Sequence, residues 1–224
     1  RYDTMMGKRK KFFETVPEGF IYIHRSKEFV SHIPDKIPLD NDFGFFIGLY
    51  LADGWCTLTF VGISNKDKTI RKRITDFCDR YGVTYHLVVS NAKNVRHGTS
   101  EDLKIHSVLL ARLFKRICNT GSANKRVPEF AYTAPDEFTK GLIDGYFSGD
   151  GCVDKKDGSI TSSSVSEGLT IGISSILSRF GIFGKLGSIQ PKKNNVGSKN
   201  IKRIYTLNIR NGYAQQFARE ITLT

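Results

Sequence analysis

The sequence predicts an α+β fold of two similar halves, each running α-β-β-α-β-β-α and joined through a central pair of helices. Three observations lead there. Two stretches, FFIGLYLADG at 45–54 and LIDGYFSGDG at 142–151, place small residues at every fourth position and close on Asp-Gly. The apolar spacing that follows the first stretch returns after the second, the mark of an internal duplication. Between the helical patterns lie short runs alternating apolar and polar residues, the period of half-buried antiparallel strands.

Composition sets the outer bounds. The 224 residues, 39% of them hydrophobic, suffice for one unit of two halves. No apolar run approaches the ~18 residues of a membrane span, and no signal peptide opens the chain. The expectation is an intracellular monomer without a membrane partner. A formal charge of +12 points to a polyanion as partner. Cys56, Cys78, Cys118 and Cys152 are too widely spaced for CxxC zinc sites and read as reduced, mostly buried thiols.

Residues 1–39 read as an N-terminal basic arm or linker, with the cluster Lys8–Lys11, a strand-like run Phe20–Ile23, and Pro34 and Pro38 before the first motif. The first half is assigned to 40–130 and the second to 131–224. A helix capped near Asp40–Asp42 carries the first motif. Cys56–Ile63 then reads as a half-buried strand, with a weaker partner around Ile63. A helix over 66–81 sets Ile70, Ile74, Phe77, Cys78 and Tyr81 on one face and stops at Gly82. Its polar face, with Lys68, Arg71, Lys72 and Arg73, reads as solvated. Strands at Tyr85–Ser90 and Asp102–His106 flank a basic loop, and a helix presents Leu109, Leu110, Leu113, Phe114 and Ile117.

The second half repeats this order. Leu169, Ile173, Ile176, Leu177 and Phe180 have the spacing of the Ile70–Tyr81 set, and Gly181 matches Gly82. A weak strand falls around Ile160, and further strands at Lys185–Gln190 and Ile204–Arg210 flank another basic loop. Tyr213, Phe217 and Ile221 form the last helix face.

The motif helices carry the chemistry. Gly48 and Ala52, like Gly141, Gly145 and Gly149, lie four apart and line one helix face. Glycine inside a helix costs roughly 1 kcal/mol against alanine, so the stripes call for close contact of two backbones. If the helices pack side by side and parallel, Asp53 and Asp150 meet at their C-terminal ends. There the negative end of each helix dipole and the neighbouring acid disfavour ionisation. Such an oxygen-rich site suits a hard cation such as Mg²⁺, with the free carbonyls of Ala52 and Gly149 completing the shell.

The stretches Phe46–Gly54 and Ile143–Gly151 resemble, position by position, the motif of LAGLIDADG homing endonucleases, particularly the two-motif type found inside inteins. The resemblance covers roughly residues 40–224. It implies two pseudo-symmetric LAGLIDADG halves, a helix interface at Gly48, Ala52, Gly145 and Gly149, and DNA-binding antiparallel sheets. The implied activity is metal-dependent cleavage of both strands of a long double-stranded DNA target, with Asp53 and Asp150 as catalytic metal ligands. Lys125, in Asn124-Lys125-Arg126-Val127-Pro128, matches a Lys-x-(Ile/Val)-Pro block of intein endonucleases and is the catalytic lysine by that resemblance. For the second half, Lys202, Arg203 and Arg210 remain open. Arg1 is not a splicing nucleophile and no His-Asn precedes the final Ile221–Thr224, so self-splicing is not expected of these residues.

The DNA-facing sheet residues are expected to be Thr57, Thr59, Lys104 and His106 in one half and Thr206, Asn208 and Arg210 in the other. Lys93, Asn94, Arg96, Lys192, Lys193 and Asn194 would extend that surface from the loops. The histidines at 24, 32, 86, 97 and 106 lack ligand spacing with cysteine, which argues against a zinc or HNH nuclease. Two rival readings are a cleavage-deficient relative, an RNA maturase or DNA-binding regulator, and a basic RNA-binding protein of unrelated fold. Both motif aspartates count against the first, because binding alone gives no reason to keep paired acids beside phosphates.

Overall fold

A computed structural model of the protein describes residues 18–24, 30–90, 99–191 and 201–224. The basic cluster at 8–11 and the loop residues Lys93, Asn94, Arg96, Lys192, Lys193 and Asn194 lie outside the described residues. A hairpin of β1 (Phe20–His24) and β2 (Val30–Pro34) comes first; its second strand has no clear signature in the sequence.

The first half follows as α1 (Asn41–Asp53), β3 (Gly54–Cys56), β4 (Val61–Ser64), α2 (Lys68–Arg80), β5 (Tyr85–Ser90), β6 (Ser100–Ile105) and α3 (Val108–Cys118). A 3-10 turn at Glu129–Tyr132 leads into the second. That half comprises α4 (Asp136–Asp150), β7 (Gly151–Val153), β8 (Ile160–Ser164), α5 (Glu167–Ser178), β9 (Lys185–Ile189), β10 (Ile204–Ile209) and α6 (Gly212–Glu220). The predicted element order stands in both halves.

Each half folds its four strands into an antiparallel sheet, ordered β3-β4-β6-β5 and β7-β8-β10-β9. The pleat sorts the side chains. Leu103 and Ile105, like Leu207 and Ile209, face the helices and are buried, while Lys104 and Asn208 lie on the opposite face. Caps set the helix starts: Asp40 accepts from the Phe43 amide at 2.9 Å, and Ser107 and Ser166 cap α3 and α5. α2 and α5 run into Gly82 and Gly181, whose φ angles of 62° and 67° end the helical path.

α1 and α4 form the centre of the core. Phe45, Phe46, Ile47, Leu49, Tyr50, Phe138, Leu142, Ile143 and Tyr146 are essentially inaccessible. The two helices run parallel and in register with their backbones touching. A Cβ on Gly48 would stand 2.0 Å from the Leu142 carbonyl oxygen, and one on Gly145 would stand 2.1 Å from that of Phe45. Gly44 extends the first stripe by a turn, since its Cβ would meet the Phe138 carbonyl oxygen at 2.0 Å. Symmetric arginines brace these helices. Arg80, at the end of α2, pairs with Asp40 and Asp42, and Arg179, just past α5, pairs with Asp136.

Several expectations need correction. Cys56–Ile63 is a hairpin, not one strand: the Thr57 hydroxyl accepts from the Thr59 and Phe60 amides and turns the chain, so Thr57 and Thr59 leave the sheet face. The face of α2 is only partly solvated. Lys72 is exposed, whereas Arg71 is buried against Glu101 at 2.6 Å. Arg73 crosses to the other half, binding Asp144 at 2.5 Å and lying 3.7 Å over the Phe45 ring. Tyr213 is half exposed, edge-on to Phe183, rather than in the core with Phe217 and Ile221. All four cysteines are free; Cys78 and Cys118 are buried, and Cys152 is exposed.

Candidate active site

The register of α1 against α4 brings their last residues together. A Cβ on Gly149 would meet the Ala52 Cβ at 2.5 Å and the Asp53 Oδ2 at 3.2 Å, so Asp53 leans over the end of the neighbouring helix. Asp53 and Asp150 sense one another directly. Burial, then the charge of Asp53, pushes the Asp150 carboxyl up to about 6, against the pull of Lys125. Burial raises Asp53 as well, opposed by a hydrogen bond from Asn65 and by Lys125.

Lys125 reaches this pair from the segment that joins the halves. It is only 6% exposed, and its Nζ donates to the carbonyl oxygens of Leu51 and Ala52, both at 3.0 Å. It thus caps the C-terminal end of α1, where unpaired carbonyls attract a cation. Its own carbonyl accepts from the Ser166 hydroxyl at 2.7 Å, tying the lysine to the start of α5. The Tyr50 hydroxyl donates to the Asn119 carbonyl at 2.8 Å and steadies the same segment. Burial brings the Lys125 ammonium down to about 8, even with Asp150 and Asp53 beside it. One ammonium therefore serves two acids. Lys202 and Arg203 are exposed, Arg203 bonding Ser188, and Arg210 donates to Asn208 at 2.8 Å. Among the described residues, Lys125 is the cation whose charge lowers Asp150.

Asn65 belongs to the site although its sequence context does not announce it. Its Nδ2 donates to Asp53 Oδ2 at 2.9 Å, while its Oδ1 accepts from the Asp67 amide at 2.9 Å. Arg71 holds the Asn65 carbonyl at 2.8 Å. The available signal is the Asn-x-Asp turn that starts α2. Ser164 makes the matching turn before α5, its hydroxyl accepting from the Ser166 amide. Among the described residues, no side chain donates to Asp150.

The donor set fits a hard divalent cation. It offers two carboxylates whose ionisation is disfavoured until a cation arrives, with helix-end carbonyls alongside. The Ala52 carbonyl already accepts from Lys125, so of the two predicted backbone ligands it is the one shared with the lysine. Among the described residues, no three His, Cys, Asp or Glu gather into a cluster, at this site or away from it, and the carboxylates here number two.

The other predicted contacts lie on the sheets. Lys104 and His106 sit on the open face of the first sheet, where His86 stacks on His106 with ring centroids 4.5 Å apart. Thr206, Asn208 and Arg210 lie along the corresponding face of the second, Arg210 being exposed. No helix among the described residues is long and apolar enough to cross a membrane.

The family profile described as a LAGLIDADG-like domain matches twice, over residues 40–118 and 137–222. DNA-directed RNA polymerase subunit Rpo1C of Methanocaldococcus jannaschii is 39% identical over 192 residues, covering 86% of this chain and 20% of that protein. An A-type ATP synthase subunit of Pyrococcus abyssi is 29% identical over 154 residues, covering 67% of the chain and 14% of the relative. The chain thus spans about a fifth or less of the length of these relatives. Among solved structures, the homing endonuclease I-DmoI in complex with DNA and Ca superposes with a TM-score of 0.59 at 15% identity, covering 82% of this chain and 90% of that one. Full-length WhiA from Thermatoga maritima superposes with a TM-score of 0.57 at 12% identity, covering 84% and 58%.

Proposed function

The chain belongs to the family of LAGLIDADG-like domains, and from that membership we propose that it is a site-specific, divalent-metal-dependent endonuclease that cuts both strands of duplex DNA. The observation that carries the reading is the paired placement of Asp53 and Asp150 at adjoining helix ends, with a buried lysine beside them on the carbonyls that end α1. Pure binding gives no reason to bury two acids beside a polyanion.

Asp53 and Asp150 would hold Mg²⁺, with the Gly149 carbonyl and, beside Lys125, that of Ala52. A bound divalent ion supplies Lewis acidity toward a phosphate oxygen and neutralises charge on the departing oxygen. The protein's own groups do the rest. Asn65 fixes the Asp53 carboxylate. Lys125, its pKa brought down to about 8 by burial but still mostly an ammonium at neutral pH, would offer a proton and its charge at Nζ close to the scissile phosphate. The two sheets present Lys104, His106, Thr206, Asn208 and Arg210 to the groove, and the net charge of +12 holds the duplex. The site is assembled from both halves of one chain, which supports action as a monomer.

The relatives support a mobile-element setting. A segment like this chain occupies a small share of one RNA polymerase subunit, and likewise of one ATP synthase subunit, proteins with no function in common. That distribution is the one an inserted, intein-borne nuclease produces.

The test is cleavage of a randomised-target plasmid library with Mg²⁺ by wild type, Asp53→Asn and Asp150→Asn. Discrete double-strand cuts in wild type, absent or reduced to nicks in the variants, support the reading. Tight duplex binding without cutting by wild type would replace it with a binding-only role.

A further inference from the structure

The two sheets are alike in topology and unlike in chemistry along one row of the open face, two residues past each motif aspartate. In the first half, pairing aligns Trp55, Gly62, Lys104 and His86 across the four strands. In the second half the equivalent row is Cys152, Thr161, Asn208 and Lys185. Trp55 and Cys152 each follow their motif aspartate by two residues, so they are counterparts.

Gly62 decides the posture of Trp55. Its neighbours Val61 and Ile63 point into the core, so a Gly62 side chain would emerge on the open face. There the Trp55 indole occupies the space: a Cβ on Gly62 would stand 2.4 Å from Cε2 and 2.7 Å from Nε1. The ring therefore lies down on the sheet instead of standing off it. Phe60 packs edge-on to it at 5.1 Å, and the Lys104 ammonium sits 5.5 Å over the Phe60 ring. The result is an apolar plate on an otherwise polar surface, beside Asp53 and bordered by a cation. Cys152 and Thr161 make no such plate.

Resting on the endonuclease reading, we infer that Trp55 is a specificity-determining residue: its indole reads a thymine C5-methyl in the half-site bound by the first sheet, close to the cleavage centre. In the major groove the thymine methyl is the apolar feature that separates A·T from G·C at that edge. A half-buried indole held flat offers apolar surface without adding rotamer freedom. The second half, with Cys152, Thr161 and Asn208 in the same row, has no aromatic plate to cover that methyl and offers at most the small Thr161 methyl. The target is consequently non-palindromic at the paired positions, with a T requirement on one side.

The experiment uses the full chain and the library-selected target. Wild type, Trp55→Ala and Gly62→Ser are compared for sequence preference, and for cleavage of oligonucleotide duplexes in which single thymines are replaced by deoxyuridine. Gly62→Ser leaves the tryptophan in place but lifts it from the sheet, which separates loss of the plate from loss of folding; thermal melts check both variants. The expected result is one position in one half-site where deoxyuridine lowers the wild-type cleavage rate about three- to fivefold, the factor for burying one methyl-sized apolar group. Both variants lose that preference and retain those at other positions. Unchanged preferences in Trp55→Ala, or deoxyuridine effects equal in both half-sites, would overturn the inference while leaving the endonuclease in place. Absence of any selected target in wild type would overturn the endonuclease reading itself.

Discussion

Asn65 donates to Asp53 at 2.9 Å, whereas Asp150, its partner across the helix pair, receives no hydrogen bond from any described side chain. The two acids are thus prepared differently: one is oriented in advance, the other waits in a buried and repulsive position. Asn65→Ala is expected to lower the single-turnover cleavage rate about 10- to 100-fold, the usual effect of removing a partner that orients a metal ligand. DNA affinity, measured by fluorescence anisotropy, should not change. An equal loss of affinity would make Asn65 a DNA contact instead.

The state of Asp150 makes stability depend on pH. Its folded pKa, about 6, exceeds the ordinary carboxylate value. The native state therefore holds a proton that the unfolded chain has released, and stability falls as pH rises through that window. Asp150→Asn should raise the stability of the metal-free protein at pH 7.5 by about 2 kcal/mol, after allowance for solvent screening. The corresponding shift in Tm is about 4–8 °C for a chain of this size. Below about pH 4 the gain should vanish. In wild type, Mg²⁺ should restore the stability that Asn supplies, and a melt with and without the ion checks this.

Lys125 is shifted the other way, down to about 8. At limiting Mg²⁺, where the metal-free enzyme sets the profile, cleavage should follow a bell-shaped pH dependence, rising as Asp150 ionises near 6 and falling as the Lys125 ammonium loses its proton near 8. Lys125→Met should lower the rate by at least about 100-fold and abolish the alkaline limb. It should also move the acid limb upward, because Asp150 loses its stabilising cation.

The glycine stripe predicts opposite signs for the same substitution. Gly145→Ala sets a Cβ 2.1 Å from the Phe45 carbonyl oxygen, which only separation of the helices can relieve. A loss of about 3 kcal/mol or more is expected in urea melts, together with loss of cleavage. Gly168→Ala, in an exposed turn of α5 with nothing within 4 Å of its Cβ, should instead stabilise by about 0.5–1 kcal/mol.

Arg73→Met tests the bridge between halves. It leaves Asp144, 5% exposed, with Ser148 and Thr224 as its remaining donors. About 2–4 kcal/mol should be lost, less than for an acid left wholly unpaired. Arg73→Met with Asp144→Asn should recover much of it in a double-mutant cycle.

The sequence makes the element order of both halves legible because burial repeats at helical and strand periods, as in the Ile70–Tyr81 and Leu169–Phe180 sets. It makes the helix interface legible because glycine at every fourth position has few other physical explanations. What escapes it is set by partners far along the chain. Arg73 on a polar helix face reads as solvated; its acid lies 71 residues away. Thr57 and Thr59 alternate like a strand, yet one hydroxyl satisfying two amides makes a turn. Asn65 looks like any turn residue until the hairpin delivers it to Asp53. Lys125 is distinguished by motif alone, since its burial depends on the linker wrapping against α5.

The in-register contact of α1 with α4 also governs when the protein becomes active. Asp53 and Asp150 are separated by nearly a hundred residues, and the groups that hold them are spread across both halves. Helices and hairpins within a half close short loops and form early, while the pairing of the halves closes a long one and comes late. During synthesis, a chain that has emerged only through α3 has Asp53 and Asn65 but neither Lys125 nor Asp150. On the endonuclease reading, cleaving power would therefore arise only at the docking step that joins the two halves.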